Sequence, residues 1–136
     1  MATLGQYNLE EMTKQEVFEA TCIHLLEQSE QSLDDVMGID CLYNGDGGLC
    51  CAAGIFVQNY DEIMENNSWS DLVVAFSQSN KYELLIDDLQ SLHDNSIAPE
   101  WLSRMKEVSK YYDLDTSFLE PWQWDEETCK YIKNES

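Results

Sequence analysis

From Gln15 to Asn80 the chain has no Lys or Arg, and that stretch carries 12 acidic residues. Six of the seven basic residues, Lys81, Arg104, Lys106, Lys110, Lys130 and Lys133, follow it, and only Lys14 precedes it. Over the whole chain 27 Asp and Glu face 7 Lys and Arg, a formal net charge of −20. A small domain stays dispersed with a net charge of about 2–8. Self-repulsion at this density opposes the compact state, so a function or a salty habitat must maintain the charge.

The rest of the composition supports folding. Hydrophobic residues make up 43%, with 4 Trp, 7 Tyr and 4 Phe. A disordered chain would pair its charge with few aromatics and aliphatics. Length fits one domain, residues 1–136, with no internal repeat or low-complexity linker. Direct nucleic-acid binding needs Lys and Arg against phosphates, and here the sign is wrong. No run approaches the ~18 apolar residues of a membrane span, so no membrane partner is expected. The first residues, MATLGQYNLEEM, have neither a basic region nor a long apolar run, which reads against a secretory signal. Cys22, Cys41, Cys50, Cys51 and Cys129 form an odd set without disulfide rhythm, which points to free thiols in a cytoplasmic protein.

Thr13 with Glu16 makes a capping box for a helix over Lys14 to Ser29, with Val17, Ala20, Thr21, His24, Leu25 and Gln28 on one face. Cys41-Leu42-Tyr43, the glycine-rich Asn44 to Gly48 and the apolar Leu49 to Val57 predict a hairpin loop whose return segment is a buried strand or short helix. Ser68 to Asp71 caps a second helix. Asn80 caps a third carrying Tyr82, Leu85, Ile86, Leu89 and Leu92. Pro99 opens a fourth with Trp101, Leu102, Met105 and Val108. A short terminal helix is expected near Asp125 to Lys133. The fold class is α+β, a mostly helical single domain with one small β-hairpin.

The segment Cys41 to Gly54, CLYNGDGGLCCAAG, resembles a C-x-Y-x-G-x-x-G-x-x-C-A-x-G pattern found in small uncharacterised proteins of phages and bacteria. A preceding His-Leu-Leu stretch corresponds to His24-Leu25-Leu26, and a later L-Q-x-x-H-D element to Leu89 through Asp94. The resemblance spans roughly the first two thirds of the chain. It implies a phage or mobile-element origin and carries no activity. The heavy acidity departs from the family pattern.

Five sites can be drawn on these residues. His24, Cys41, Cys51 and His93 could gather as a zinc centre, but no C-x-x-C or H-x-x-x-H spacing supports it and structural roles for these residues are favoured. Cys41 or Cys51 with His24 or His93 and Asp94 makes a formal nucleophilic triad, which the negative charge opposes because reactive thiolates favour electropositive surroundings. The glycine loop lacks the Gly-Lys-Ser/Thr ending of a phosphate-binding loop. Asp113 to Ser117 lacks the glycine and final Glu of a calcium loop. Trp122 and Trp124 serve either as partner-binding aromatics or as a cover for the core. The acids Asp34, Asp35, Asp61, Glu62, Glu65, Glu83, Asp87 and Asp94 are either a solvated face or an array that imitates phosphates.

The charge distribution and the resemblance together predict a non-enzymatic, cofactor-free, phage-type inhibitor in the host cytoplasm. It would bind a basic host protein that handles nucleic acid, such as a restriction enzyme, CRISPR effector or repair nuclease, through the acids above together with Trp122 and Trp124. The alternative is a small metal-binding or regulatory module centred on His24, Cys41, Cys51 and His93.

Overall fold

The structure, a computed structural model, describes residues 2–32, 42–45 and 49–134. Among the described residues the chain forms α1 (Lys14–Gln28), α2 (Trp69–Ala75), α3 (Glu83–Asn95), α4 (Trp101–Tyr112) and an antiparallel hairpin, β1 (Trp122–Asp125) with β2 (Lys130–Lys133). The mostly helical α+β class holds. Asp34, Asp35 and Cys41 lie outside the described residues.

α1 begins as its sequence dictates. Thr13 Oγ1 accepts from the Glu16 N–H at 3.2 Å, and the Glu16 carboxylate accepts from the Thr13 N–H at 2.9 Å. The helix ends at Ser29, which adopts φ 58° and sends its N–H to the Leu25 carbonyl. α1 packs against α3, α4 and β2, and α3 lies between α2 and α4. Val17, Phe18, Cys22, Leu25 and Leu26 of α1 are fully buried, as are Trp69, Trp101, Leu89 and Met105 from the other helices. Burying each large apolar side chain contributes roughly 1.5–3 kcal/mol.

Ser68 and Asp71 form a second capping box at α2. At α3 the expected Asn80 cap is replaced by Tyr82, in the left-handed region at φ 60° with no side-chain cap. The Tyr82 hydroxyl is tied to the Met12 carbonyl at 2.8 Å, so a tertiary contact sets this boundary. Pro99 falls in a 3-10 turn, Ala98–Glu100, that leads into α4.

The hairpin lies elsewhere than the glycine loop predicts. Residues 122–133, expected as a helix in their second half, pair as strands with Trp124 opposite Tyr131 and Trp122 opposite Lys133. Aromatic cross-strand pairs favour this arrangement, and the Trp124 and Tyr131 rings meet edge to face at 5.1 Å. Tyr131 is buried and anchors the hairpin at three points. Its N–H donates to Ser29 Oγ, its hydroxyl donates to the Ala98 carbonyl, and the same hydroxyl accepts from the Leu102 N–H.

Residues 42–45 and 49–58 form no strand; only a 3-10 turn, Gly54–Phe56, interrupts them. The chain does reverse there, with the Gly45 N–H on the Leu49 carbonyl at 2.7 Å. The described glycines of this loop serve close approach rather than positive φ. A Cβ on Gly45 would lie 2.2 Å from Ser32 Oγ, and one on Gly54 would lie 2.4 Å from the Tyr43 carbonyl oxygen.

This segment is buried from Cys50 to Val57, so its backbone polar groups need partners that a sheet would otherwise supply. Side chains from the flanking elements provide them. Gln28 grips Cys50 from both sides, accepting its N–H at 2.9 Å and donating to its carbonyl at 2.9 Å. Gln90 of α3 accepts the Ala53 N–H, and Gln78 pairs with both backbone groups of Gln58. The N-terminal strip adds Gly5 N–H to Gly54 and Tyr7 N–H to Ile55. Replacing Gln28 with Leu removes the acceptor of a buried N–H and is expected to lower stability by about 1–3 kcal/mol. Urea unfolding should show that loss, whereas Gln123→Ala on the exposed hairpin surface should stay within about 0.5 kcal/mol.

Candidate functional site

Two turns of α3 and the loop entering α2 face each other across a cleft of about 500 Å³. The α3 wall presents Asp87, Gln90, Ser91, Asp94 and Asn95; the opposite wall presents Asn66, Asn67, Ser68 and Trp69; Tyr43 and Cys51 complete the lining. None of these residues is Lys, Arg or His.

Hydrogen bonds hold the walls in place. Ser70 donates to Asp87 Oδ2 at 2.7 Å, joining α2 to α3. Asp94 Oδ1 accepts from Gln90 Nε2 at 2.7 Å and from His93 Nδ1 at 2.8 Å. The buried Tyr43 phenol donates to the Asn67 carbonyl. Burial first, then the neighbouring Cys51, Asp94, Glu65 and Asp87, raise that phenol well above the ordinary tyrosine range. The same causes operate at Tyr60, where burial, the Glu65 hydrogen bond and the charges of Glu65, Glu62 and Asp61 act together.

The expected acids therefore divide into distinct roles. Asp87 and Asp94 line the cleft, and Glu65, Glu62 and Asp61 continue the negative field past it towards Tyr60. Glu65 is also a structural clamp, accepting from the Tyr43 and Asn44 N–H groups and from the Tyr60 hydroxyl. Asp61 caps the turn at Ile63. Glu83 sits apart, in a shallow groove with Lys14, Leu84 and Tyr112. Among the described residues none of these six acids has a Lys or Arg ion-pair partner, whereas Arg104 pairs with Glu107 at 3.2 Å. Trp122 and Trp124 pack on the core, outside the cleft.

Tyr43, Trp69, Gln90 and the Asn66–Asn67–Ser68 turn are cleft residues that the sequence reading missed. Gln90 and Ser91 were within reach of it, since they fall between Asp87 and Asp94 on one helical stripe. Nothing local in the sequence marks Tyr43 or Trp69 as facing them.

The histidines have structural work. The Cys50 carbonyl accepts from His24 Nε2 at 3.0 Å, and among the described residues the buried Nδ1 has no partner. His93 Nε2 accepts from the Ser32 N–H at 2.9 Å, so its proton sits on Nδ1 and points at Asp94, and the ring stacks on Trp101. Among the described residues no group of three or more His, Cys, Asp or Glu is arranged to hold a metal. His24, Cys51 and His93 are thus not drawn into one ligand set.

No family model, curated protein or solved structure matches the chain. No helix among the described residues is long and apolar enough to cross a membrane.

Two expectations follow from these environments. Burial lifts the Cys22 and Cys51 thiols well above their ordinary range and pushes Cys50 up to about 11, while Cys129 is exposed. Iodoacetamide at neutral pH should label Cys129 well before Cys22, Cys50 and Cys51, as peptide mass mapping would reveal. His24 is lowered from 6.5 to about 4, chiefly by burial. Its neutral form is the folded one, so its contribution is complete above pH 6.5 and is lost as pH falls towards 4. The loss amounts to about 3 kcal/mol. Urea unfolding across that window should show it in the native chain, and a folded His24→Asn variant should lack that component.

Proposed function

We propose that the chain is a stoichiometric inhibitor that occupies the basic, nucleic-acid-binding groove of a host protein, without turnover and without a cofactor. The observation that carries this reading is the uncompensated negative field around the cleft. Asp87 and Asp94 line it, Glu65, Glu62 and Asp61 extend it, and among the described residues no Lys, Arg or His lies in its walls. Duplex DNA presents one charge per ~1.7 Å of axis, and carboxylates fixed on rigid elements can stand in for part of that field. The hydrogen bonds of Asp87 to Ser70 and of Asp94 to Gln90 and His93 provide such fixing. A negative surface of this kind steers rapid association with a basic groove and excludes the nucleic acid that competes for it.

The resemblance of the Cys41–Gly54 loop to small phage and bacterial proteins supports a phage-type origin, with a restriction enzyme, CRISPR effector or repair nuclease as the target in the host cytoplasm. Immobilised protein exposed to a bacterial lysate should retain nucleic-acid-binding proteins. That retention should be abolished by duplex DNA competitor and by about 1 M salt, where the Debye length falls to ~3 Å. Retention unchanged by both treatments would remove the proposal.

A further inference from the structure

Asn44 is followed by Gly45, and this is the one Asn-Gly pair in the chain. An asparagine in that context carries its own reaction. The backbone nitrogen of the next residue attacks the side-chain carbonyl carbon, and a glycine there puts no Cβ in the way. Packing asks for glycine at this position. A Cβ on Gly45 would lie 2.2 Å from the Oγ of the buried Ser32 and 3.2 Å from the Leu49 carbonyl oxygen. The fold therefore favours the neighbour that makes Asn44 most reactive, while Asn44 itself is exposed to solvent.

The same fold occupies the attacking nitrogen. The Gly45 N–H donates to the Leu49 carbonyl at 2.7 Å, so the proton that must leave before attack is held in a hydrogen bond. On the other side, the Asn44 N–H donates to Glu65 Oε2 at 3.1 Å and the Tyr43 N–H donates to Glu65 Oε1 at 2.9 Å. Glu65 is fixed in turn by the Tyr60 hydroxyl. The backbone of Asn44 is thus pinned at both ends, and attack through the Gly45 nitrogen requires giving up the bond to Leu49.

We propose that Asn44 is a deamidation site gated by the fold, protected while the Gly45–Leu49 hydrogen bond stands and converted when it opens. In the open chain base removes the Gly45 amide proton, and the nitrogen forms a bond to Asn44 Cγ. The Cγ–Nδ2 bond breaks, and the amide nitrogen leaves as ammonia after taking a proton from water. Water then opens the succinimide ring, at Cγ to give aspartate or at the main-chain carbonyl to give isoaspartate. Either product opposes reclosing. Aspartate adds a negative charge to the residue whose N–H the Glu65 carboxylate accepts, and like charges repel. Isoaspartate inserts a methylene between Asn44 Cα and the Gly45 nitrogen, two points that Glu65 and Leu49 hold in register. The lesion adjoins Tyr43, which is buried and lines the cleft. The inhibitor reading is not required for any of these steps.

The test incubates the full chain in mildly alkaline buffer across a guanidinium series, beside the capped peptide Leu-Tyr-Asn-Gly-Asp at each guanidinium concentration. Chymotryptic mapping by mass follows the fragment from Asn44 to Leu49. Asn44 is the one side-chain amide in that fragment, so the mass gained on hydrolysis reads this site alone. Conversion should run at the peptide's rate in the unfolded chain and at least about tenfold slower in the native chain. Between these limits it should rise with the open fraction, as for any reaction confined to an open form. Converted chain collected by anion exchange should unfold at lower guanidinium than intact chain. A native rate equal to the peptide's overturns the gate. An unfolded chain that keeps Asn44 as long as the native chain does overturns the site itself. Converted chain that unfolds together with intact chain overturns the opposition to reclosing.

Discussion

The interior of this protein contains a stretch of backbone that belongs to no α-helix or sheet, and the elements around it are arranged to satisfy it. Cys50 to Val57 is buried, and buried N–H and C=O groups without partners would together outweigh the stability of a small domain. Besides its own 3-10 turn and the backbone N–H groups of Gly5 and Tyr7, the partners come one at a time from side chains on the surrounding elements. Gln28 and His24 reach from α1 to Cys50, Gln90 reaches from α3 to Ala53, and Gln78 reaches to Gln58. Amide side chains suit this task because a single group both donates and accepts, copying what a neighbouring strand would offer.

That solution connects the interior to the cleft. Gln90 holds Ala53 with its oxygen and Asp94 with its nitrogen, so one side chain fixes both the buried segment and a cleft carboxylate. His93 likewise takes the Ser32 N–H on one ring nitrogen and orients Asp94 with the other. Rigid carboxylates lose little freedom on meeting a cation, which is the condition under which a charge array recognises a partner beyond simple attraction. The acids that are not held this way, such as the exposed Glu62, contribute field and little geometry.

The sequence reading succeeded where local rules dominate. Both capping boxes are written in a few adjacent residues, Thr13 with Glu16 and Ser68 with Asp71, and both are present. It failed where distant contacts override local signals. Residues 125–133 have no strong pattern of their own, and Tyr131 commits them to a strand through contacts with Ser29, Ala98 and Leu102. The glycine-rich loop displays the residues of a hairpin turn, yet Gly45 and Gly54 are small because Ser32 and Tyr43 crowd them. The same limit applies to the site. Asp87 and Asp94 were legible as acids on one helix, but the facing wall of Asn66 to Trp69 comes from a separate element and has no signature in sequence.

By itself the sequence determined the net charge, the mostly helical class and the principal helices, because these depend on composition and on contacts within a few residues. Tertiary structure decided the position of the hairpin, the work of the two histidines and the placing of Asp87 and Asp94 in the lining of a cleft. Those outcomes depend on which residues meet across long stretches of chain, and only packing settles which donor finds which acceptor.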